Sequence, residues 1–188
     1  MEHDIPVIAA ALQSAIAKNV VVVASAPNRG YEPINFPARC DRIFCIGSAT
    51  GYGSPAVYNP PSLKKEKFCA LGEGVRVPWN IDPNETLDPN KGQEPGFRFK
   101  NGCSTATVVA AGIVSLYIDF TRQFCDPGKG ADNYENMRKL FREMSKETAD
   151  KDYAVLVPWS LFRERDQRDP RAYIKRILLQ GLLNTSCI

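Results

Sequence analysis

One serine in this chain sits in a setting suited to attack on a carbonyl. Gly102-Cys103-Ser104-Thr105-Ala106-Thr107 is a run of small residues, and an uncharged, mostly apolar stretch continues from Val108 to Ile118. That stretch predicts a helix buried on most sides, with Ser104 at or near its first turn. Backbone N–H groups at a helix start lack intrahelical partners and favour negative charge. A serine placed there could attack a carbonyl whose oxygen becomes an anion held by those donors. The same placement suits a helix N-cap, a role open to Ser104, Thr105 or Thr107.

The elements that must position this serine can be read upstream. Asp4-Ile5-Pro6 predicts a helix start, with Asp4 as the cap and Pro6 in the first turn. Ile8, Leu12, Ala15 and Ile16 follow at helical spacing, and Lys18 and Asn19 close the last turn. Val20 to Ala24 comes next, a β-branched run without alternation, which predicts a strand buried on both faces. A helix leading into a buried strand is half of a βαβ crossover, so the expected class is α/β with a mostly parallel sheet. The strand ends in Ser25-Ala26-Pro27-Asn28-Arg29-Gly30. Ligand chemistry in open parallel sheets collects beyond the carboxyl ends of strands, which singles out Asn28. Asparagine close to glycine is also an ordinary turn residue. Ile43 to Ile46 is a second candidate for a buried strand.

Gly-Cys-Ser-Thr-Ala-Thr-Val-Val-Ala-Ala-Gly resembles the nucleophile motif of the subtilisin-like serine proteases, G-T-S-x-A-[ST]-P-x-x-A-G. Gly102, Ser104, Ala106, Thr107, Ala111 and Gly112 match, while Cys103 stands for the usual Thr and Val108 for the usual Pro. The strand ending at Asn28 is similar to that family's A-A-G-N-x-G segment, with Pro27 in place of Gly. Two further stretches resemble it in the same order. These are Phe36-Pro37-Ala38 leading to Gly47-Ser48-Ala49, and Phe68-Cys69-Ala70-Leu71-Gly72-Glu73-Gly74-Val75. The resemblance covers about residues 5–121. It implies a partial subtilisin-like, doubly wound α/β fold with flanking helices, and peptide-bond hydrolysis through an acyl-enzyme. Ser104 is then the nucleophile, and Asn28 donates its side-chain amide to the oxyanion.

The resemblance also implies residues that this sequence lacks. The family's D-[ST]-G and H-G-T-x-V-A segments are absent, and the only histidine is His3, in a different context. Serine is a weak nucleophile until a base accepts its proton. The chain is therefore expected to be inactive by itself, with Asp and His supplied by the missing N-terminal half of the domain or by another chain. A non-catalytic pseudoprotease remnant that binds peptides or partners is the alternative. Residues 1–125 are expected to form the C-terminal half of the catalytic domain, and 126–188 a helical extension packed on it.

The remaining stretches suggest structure rather than chemistry. Tyr58 to Lys67 is polar and predicts a solvated loop; Pro78 to Asn101 predicts a long loop or irregular hairpin. Asp132 or Asn133 should cap an amphipathic helix carrying Tyr134, Met137, Leu140, Phe141 and Met144, with Glu135 completing a capping box. Tyr153 to Trp159 predicts an edge strand. A last helix starts at Asp169-Pro170 with Tyr173, Ile174, Ile177, Leu178 and Leu182 inward, packed on the domain or offered to a partner. Six cysteines without a C-x-x-C pair give no zinc pattern and are expected as buried free thiols. Cys103, beside the serine at a helix start, is expected to have a lowered thiol pKa. No phosphate loop and no cofactor motif occur. Net charge is +3 and dispersed, so nucleic acid is not an expected partner. The apolar runs are expected to be too short for a membrane span, no secretory signal is seen, and an intracellular location is favoured where Met1 is the true start.

Overall fold

Alternation along one strand divides the molecule into two faces. Strand β2 (Ile43–Ala49) is buried at all seven positions. Its Phe44 and Ile46 face one core, and Ile43 and Cys45 face another. That is the period of two expected of a strand covered on both sides. The computed structural model describes residues 6–61, 67–80, 88, 95–126, 129–148, 153–162 and 169–183. Asp4 and His3 lie outside the described residues, as do the side chain of Leu182 and the segment 62–66.

Helix α1 (Pro6–Ala17) leads to β1 (Val22–Ser25), which pairs in parallel with β2. Strand β3 (Phe68–Leu71) pairs with β2, also in parallel. A hairpin of β4 (Val75–Pro78) and β5 (Phe97–Lys100) stands apart as a two-stranded sheet. Helix α2 (Cys103–Arg122) and α3 (Tyr134–Met144) follow, then β6 (Ser145–Glu147), β7 (Ala154–Leu156), a 3-10 turn at Pro158–Phe162, and α4 (Pro170–Leu183). The main sheet runs β1-β2-β3-β7-β6, and only the β6–β7 pair is antiparallel. The α/β class and mostly parallel sheet expected from the sequence are therefore present.

The larger core lies between the sheet and helices α2, α3 and α4. Ala106, Ala110, Ile113, Val114 and Tyr117 of α2 meet Phe44, Ile46, Phe68 and Ala70 of the sheet and Met137, Leu140, Phe141 and Met144 of α3. Phe44 anchors it, with ring centroids 4.8 Å from Phe141 and 5.9 Å from Phe68. Burying a phenylalanine of this kind stabilises by roughly 1.5–3 kcal/mol. On the opposite face, Leu12 and Ile16 of α1 pack on Ala24, Ile43 and Cys45.

Several expectations are corrected. Strand β1 packs towards both cores, Val23 into one and Val22 and Ala24 into the other, but only Ala24 is fully buried; β1 has β2 on one edge and no described strand on the other. The 153–159 segment is not an edge; β7 lies between β3 and β6, and β6 is the edge. The Tyr58–Lys67 stretch is not wholly solvated. Lys67 is buried, donating from Nζ to the Pro60 and Pro61 carbonyls, which supply the oxygens its charge needs. Asn133, not Asp132, caps α3, and its side chain accepts from Asn136 N–H at 3.0 Å, which rules out the Asp132–Glu135 box. Helix α2 is buried along one face only, with Val108 and Leu116 exposed. It is also long and apolar enough, by length and composition alone, to cross a membrane, against the sequence expectation. Its alanine and tyrosine face packs in the core, as befits the central helix of an α/β domain.

Candidate active site

The site lies where three chain reversals meet at the carboxyl ends of β1 and β3 and the start of α2. After β3, the Gly72 carbonyl accepts from Gly102 N–H at 2.8 Å, and Asn101 Oδ1 accepts from Gly74 N–H at 2.7 Å. These bonds fix the approach to the serine turn. Gly72 has no room for a side chain, since a Cβ there would come within 2.8 Å of both Ala106 Cβ and the Gly102 carbonyl.

Gly102 is the N-cap of α2, at φ 143°, a conformation that non-glycine residues rarely adopt. A Cβ at Gly102 would also lie 3.3 Å from Asn28 Oδ1. The glycine thus lets the chain turn and lets the asparagine approach. Asn28 Oδ1 accepts from Cys103 N–H at 2.7 Å across 75 positions of sequence. That bond satisfies the first orphan donor of α2 and orients the amide. Among the described residues Asn28 Nδ2 has no protein acceptor, and the residue is exposed.

Ser104 is the second residue of α2 and is exposed. The capping alternative fails for it, because the N-cap residue is Gly102 and the side chain that accepts from this end is that of Asn28. Thr107 Oγ1 is occupied elsewhere, donating to the Cys103 carbonyl at 2.7 Å. Among the described residues the Ser104 hydroxyl makes no hydrogen bond, and the Ser104 and Thr105 N–H groups have no acceptor. An uncommitted hydroxyl therefore shares one helix start with open backbone donors, and an anchored amide is bonded to the residue before it. Such a set can hold a developing oxyanion.

Sequence reasoning missed the residue that braces this turn from below. Asn59 is buried, and its Oδ1 accepts from Ser48 N–H at 2.9 Å while its Nδ2 donates to the Ser48 carbonyl at 2.8 Å. The Cys103 thiol donates to the same Oδ1 at 3.4 Å and to the Pro27 carbonyl at 3.5 Å. Tyr58 adds a hydroxyl bond to Ser48 Oγ at 2.9 Å. Both residues lie in the polar run read as solvated, and no local pattern marks them. Asparagine is buried here because β2 offers it a matched N–H and C=O pair.

The thiols behave unlike the sequence expectation. Burial pushes the Cys103 thiol up rather than down, outweighing its backbone hydrogen bonds. Burial raises Cys69 further, with Cys103 and Cys45 nearby adding to it. Tyr58 is also raised, chiefly by burial, with the Ser48 bond opposing and Glu73 assisting. Cys45, Cys69 and Cys103 are buried as expected, Cys40 and Cys125 are only half-buried, and Cys187 lies outside the described residues. Among the described residues no group of His, Cys, Asp or Glu is placed to hold a metal ion.

Solved structures share this arrangement of strands and helices. The PatG macrocyclase domain superposes with a TM-score of 0.64 at 18% identity, over 96% of this chain and 49% of that one. A mutant of the protease domain of PatA gives 0.63 at 18% identity, over 92% and 53%. A lanthipeptide protease gives 0.63 at 20% identity, over 80% and 52%. The fold is subtilisin-like. The chain spans about half the length of each of these structures. No family model matches the sequence, and no curated protein does.

Proposed function

We propose that this chain is the nucleophile-bearing portion of a subtilisin-like serine endopeptidase acting on polypeptides. Ser104 attacks the scissile carbonyl, and the oxyanion is held by Asn28 Nδ2 and the Ser104 backbone N–H. The observation that carries the reading is the Asn28–Cys103 bond, which fixes an amide donor against a serine with a free hydroxyl. The solved structure of the PatG macrocyclase in complex with peptide supports a polypeptide substrate for the fold. Residues 1–125 form the catalytic half, and 126–188 an extension packed on it.

The base must come from outside the described residues, which contain no histidine. Without it, loss of the triad costs on the order of 10⁶-fold in kcat, a magnitude that belongs to subtilisin itself. The chain alone is therefore expected to be inactive, with Asp and His brought by the missing N-terminal half of the domain or by another chain. The second reading is a pseudoprotease that binds peptides without cleaving them. It is favoured by Pro27, which fixes φ and removes an N–H beside Asn28. A fluorophosphonate probe separates the two. The protease reading expects a Ser104 adduct once Asp and His are supplied and none on the chain alone; no adduct in either sample favours the pseudoprotease.

A further inference from the structure

Two prolines follow Asn59, and both of their carbonyls are held by other side chains. Tyr153 Oη donates to the Pro60 carbonyl across 93 positions of sequence. Lys67 Nζ donates to the Pro60 carbonyl at 3.1 Å and also to that of Pro61. The Lys67 ammonium lies 5.1 Å from the Tyr153 ring centroid, so the two donors support each other. Tyr153, Lys67 and Pro60 are all buried. Tyr153 is also fixed at its backbone. Thr148 donates to its carbonyl from N–H at 3.2 Å and from Oγ1 at 3.0 Å. The next residue, Ala154, donates its N–H to the Lys67 carbonyl at 2.9 Å.

At the other end of this segment the Asn59 amide clamps both backbone groups of Ser48 and accepts from the Cys103 thiol, beside Ser104. Little between the two ends can bend. Proline locks φ at Pro60 and Pro61. A residue before proline is confined to extended backbone, which restricts Asn59 and Pro60. Asn59 N–H is bonded in addition to the Ala56 carbonyl at 3.0 Å. A shift of the Pro60 carbonyl is therefore carried to the Asn59 side chain instead of being absorbed by torsions. The receiving end has no slack: a Cβ at Gly47 would lie 3.2 Å from Asn59 Oδ1 and 2.9 Å from Cys69 Sγ.

We infer that Tyr153 and Lys67 are positioning residues for Ser104, acting through the stiff Asn59-Pro60-Pro61 segment on the turn at Cys103. The stretch beyond residue 125 then sets the geometry of the serine turn through one hydroxyl, besides covering the core. The inference rests on the protease reading for what the turn does, whereas the path from Tyr153 to Cys103 stands apart from it.

The test is Tyr153→Phe, which deletes only the hydroxyl and keeps the ring beside Lys67. Ile177→Val, a mild truncation on the buried face of α4, is the control that destabilises without touching the path. Two readouts are taken on the full native polypeptide. The first is labelling of buried thiols by iodoacetamide, mapped by mass spectrometry. Tyr153→Phe should speed Cys103 several-fold relative to Cys45, a buried thiol about 10 Å along β2 from Ser48. Ile177→Val should speed both alike. The second is acylation of Ser104 by a fluorophosphonate over a range of probe concentrations. Tyr153→Phe should lower the maximal rate roughly tenfold to a hundredfold, the order expected of a misplacement of up to about 1 Å, and leave the half-saturating concentration unchanged. Lys67→Met should move both readouts in the same direction. A ratio of Cys103 to Cys45 labelling equal to that of Ile177→Val would overturn the inference, as would an unchanged maximal rate. A parent polypeptide that never acylates Ser104 sinks the protease reading instead, and the thiol ratio then decides the positioning by itself.

Discussion

Asn28 holds the serine turn through its oxygen and, in the proposed function, offers its nitrogen to the oxyanion, so two substitutions should separate these roles. Asn28→Ala removes the acceptor for Cys103 N–H, a 2.7 Å bond at the first residue of α2. The net loss for such a bond is about 0.5–1.5 kcal/mol, towards the lower end where water can replace the acceptor. Asn28→Asp keeps the acceptor and adds negative charge at a helix N-terminus, a gain of about 0.3–1 kcal/mol at low salt. For a chain of this length 1 kcal/mol moves Tm by roughly 2–4 °C. Thermal melts at low ionic strength should therefore show Asn28→Ala below the parent by ~1–4 °C and Asn28→Asp above it by a similar amount. The gain should shrink in high salt. It should also vanish on acidification, because a carboxyl stabilised at the helix start has a depressed folded pKa. Its contribution is present above the unfolded value near about 4 and lost as pH falls through the folded one. In any assembly that cleaves peptides, both substitutions should cost about 10²–10³ in kcat, the loss found for one oxyanion donor in a subtilisin. A stabilised Asn28→Asp with unimpaired turnover would refute the assignment of Nδ2 to the oxyanion. A neutral Asn28→Ala with a destabilised Asn28→Asp would refute the anchoring of Asn28 on Cys103.

Four other outcomes follow from the same geometry. Gly102→Ala, forced to φ 143° and towards Asn28, should destabilise by about 1–3 kcal/mol in urea unfolding. Asn59→Ala strands the buried Ser48 N–H near the carboxyl end of β2 and opens a cavity, so a loss of about 2–4 kcal/mol is expected. Iodoacetamide near pH 8 should label Cys40 before Cys45, Cys69 or Cys103, which are buried. Because Cys69 and Cys103 are raised in the folded chain, their contribution to stability should be full below the unfolded thiol pKa of about 8.5 and fall as pH rises past it.

Much of the scaffold could be read from local pattern. β2 is a continuous apolar strand because both its faces are covered, and α3 shows its apolar stripe directly. The pairing of Asn28 with the serine turn came from motif order, which placed two distant segments at one site before any contact was visible. What pattern could not reach were features set by partners far along the chain. Val20–Ala24 has the composition of a doubly buried strand, but β1 ends the described sheet and only Ala24 in it is fully buried. Lys67 and Asn59 are polar residues made core residues by particular carbonyls and amides, and no spacing rule announces that. Cys103 reversed its expected thiol chemistry for a similar reason: desolvation outweighs the helix start once the side chain points inward.

The most direct test of the account is where a serine-reactive probe attaches. The full native polypeptide and the 188-residue chain are treated with a fluorophosphonate, digested and mapped by mass spectrometry. The account expects a single adduct on Ser104 in the full polypeptide, lost in Ser104→Ala, and none on the short chain. An adduct elsewhere, or a full polypeptide that carries the Asp and His segments yet leaves Ser104 unmodified, would contradict it.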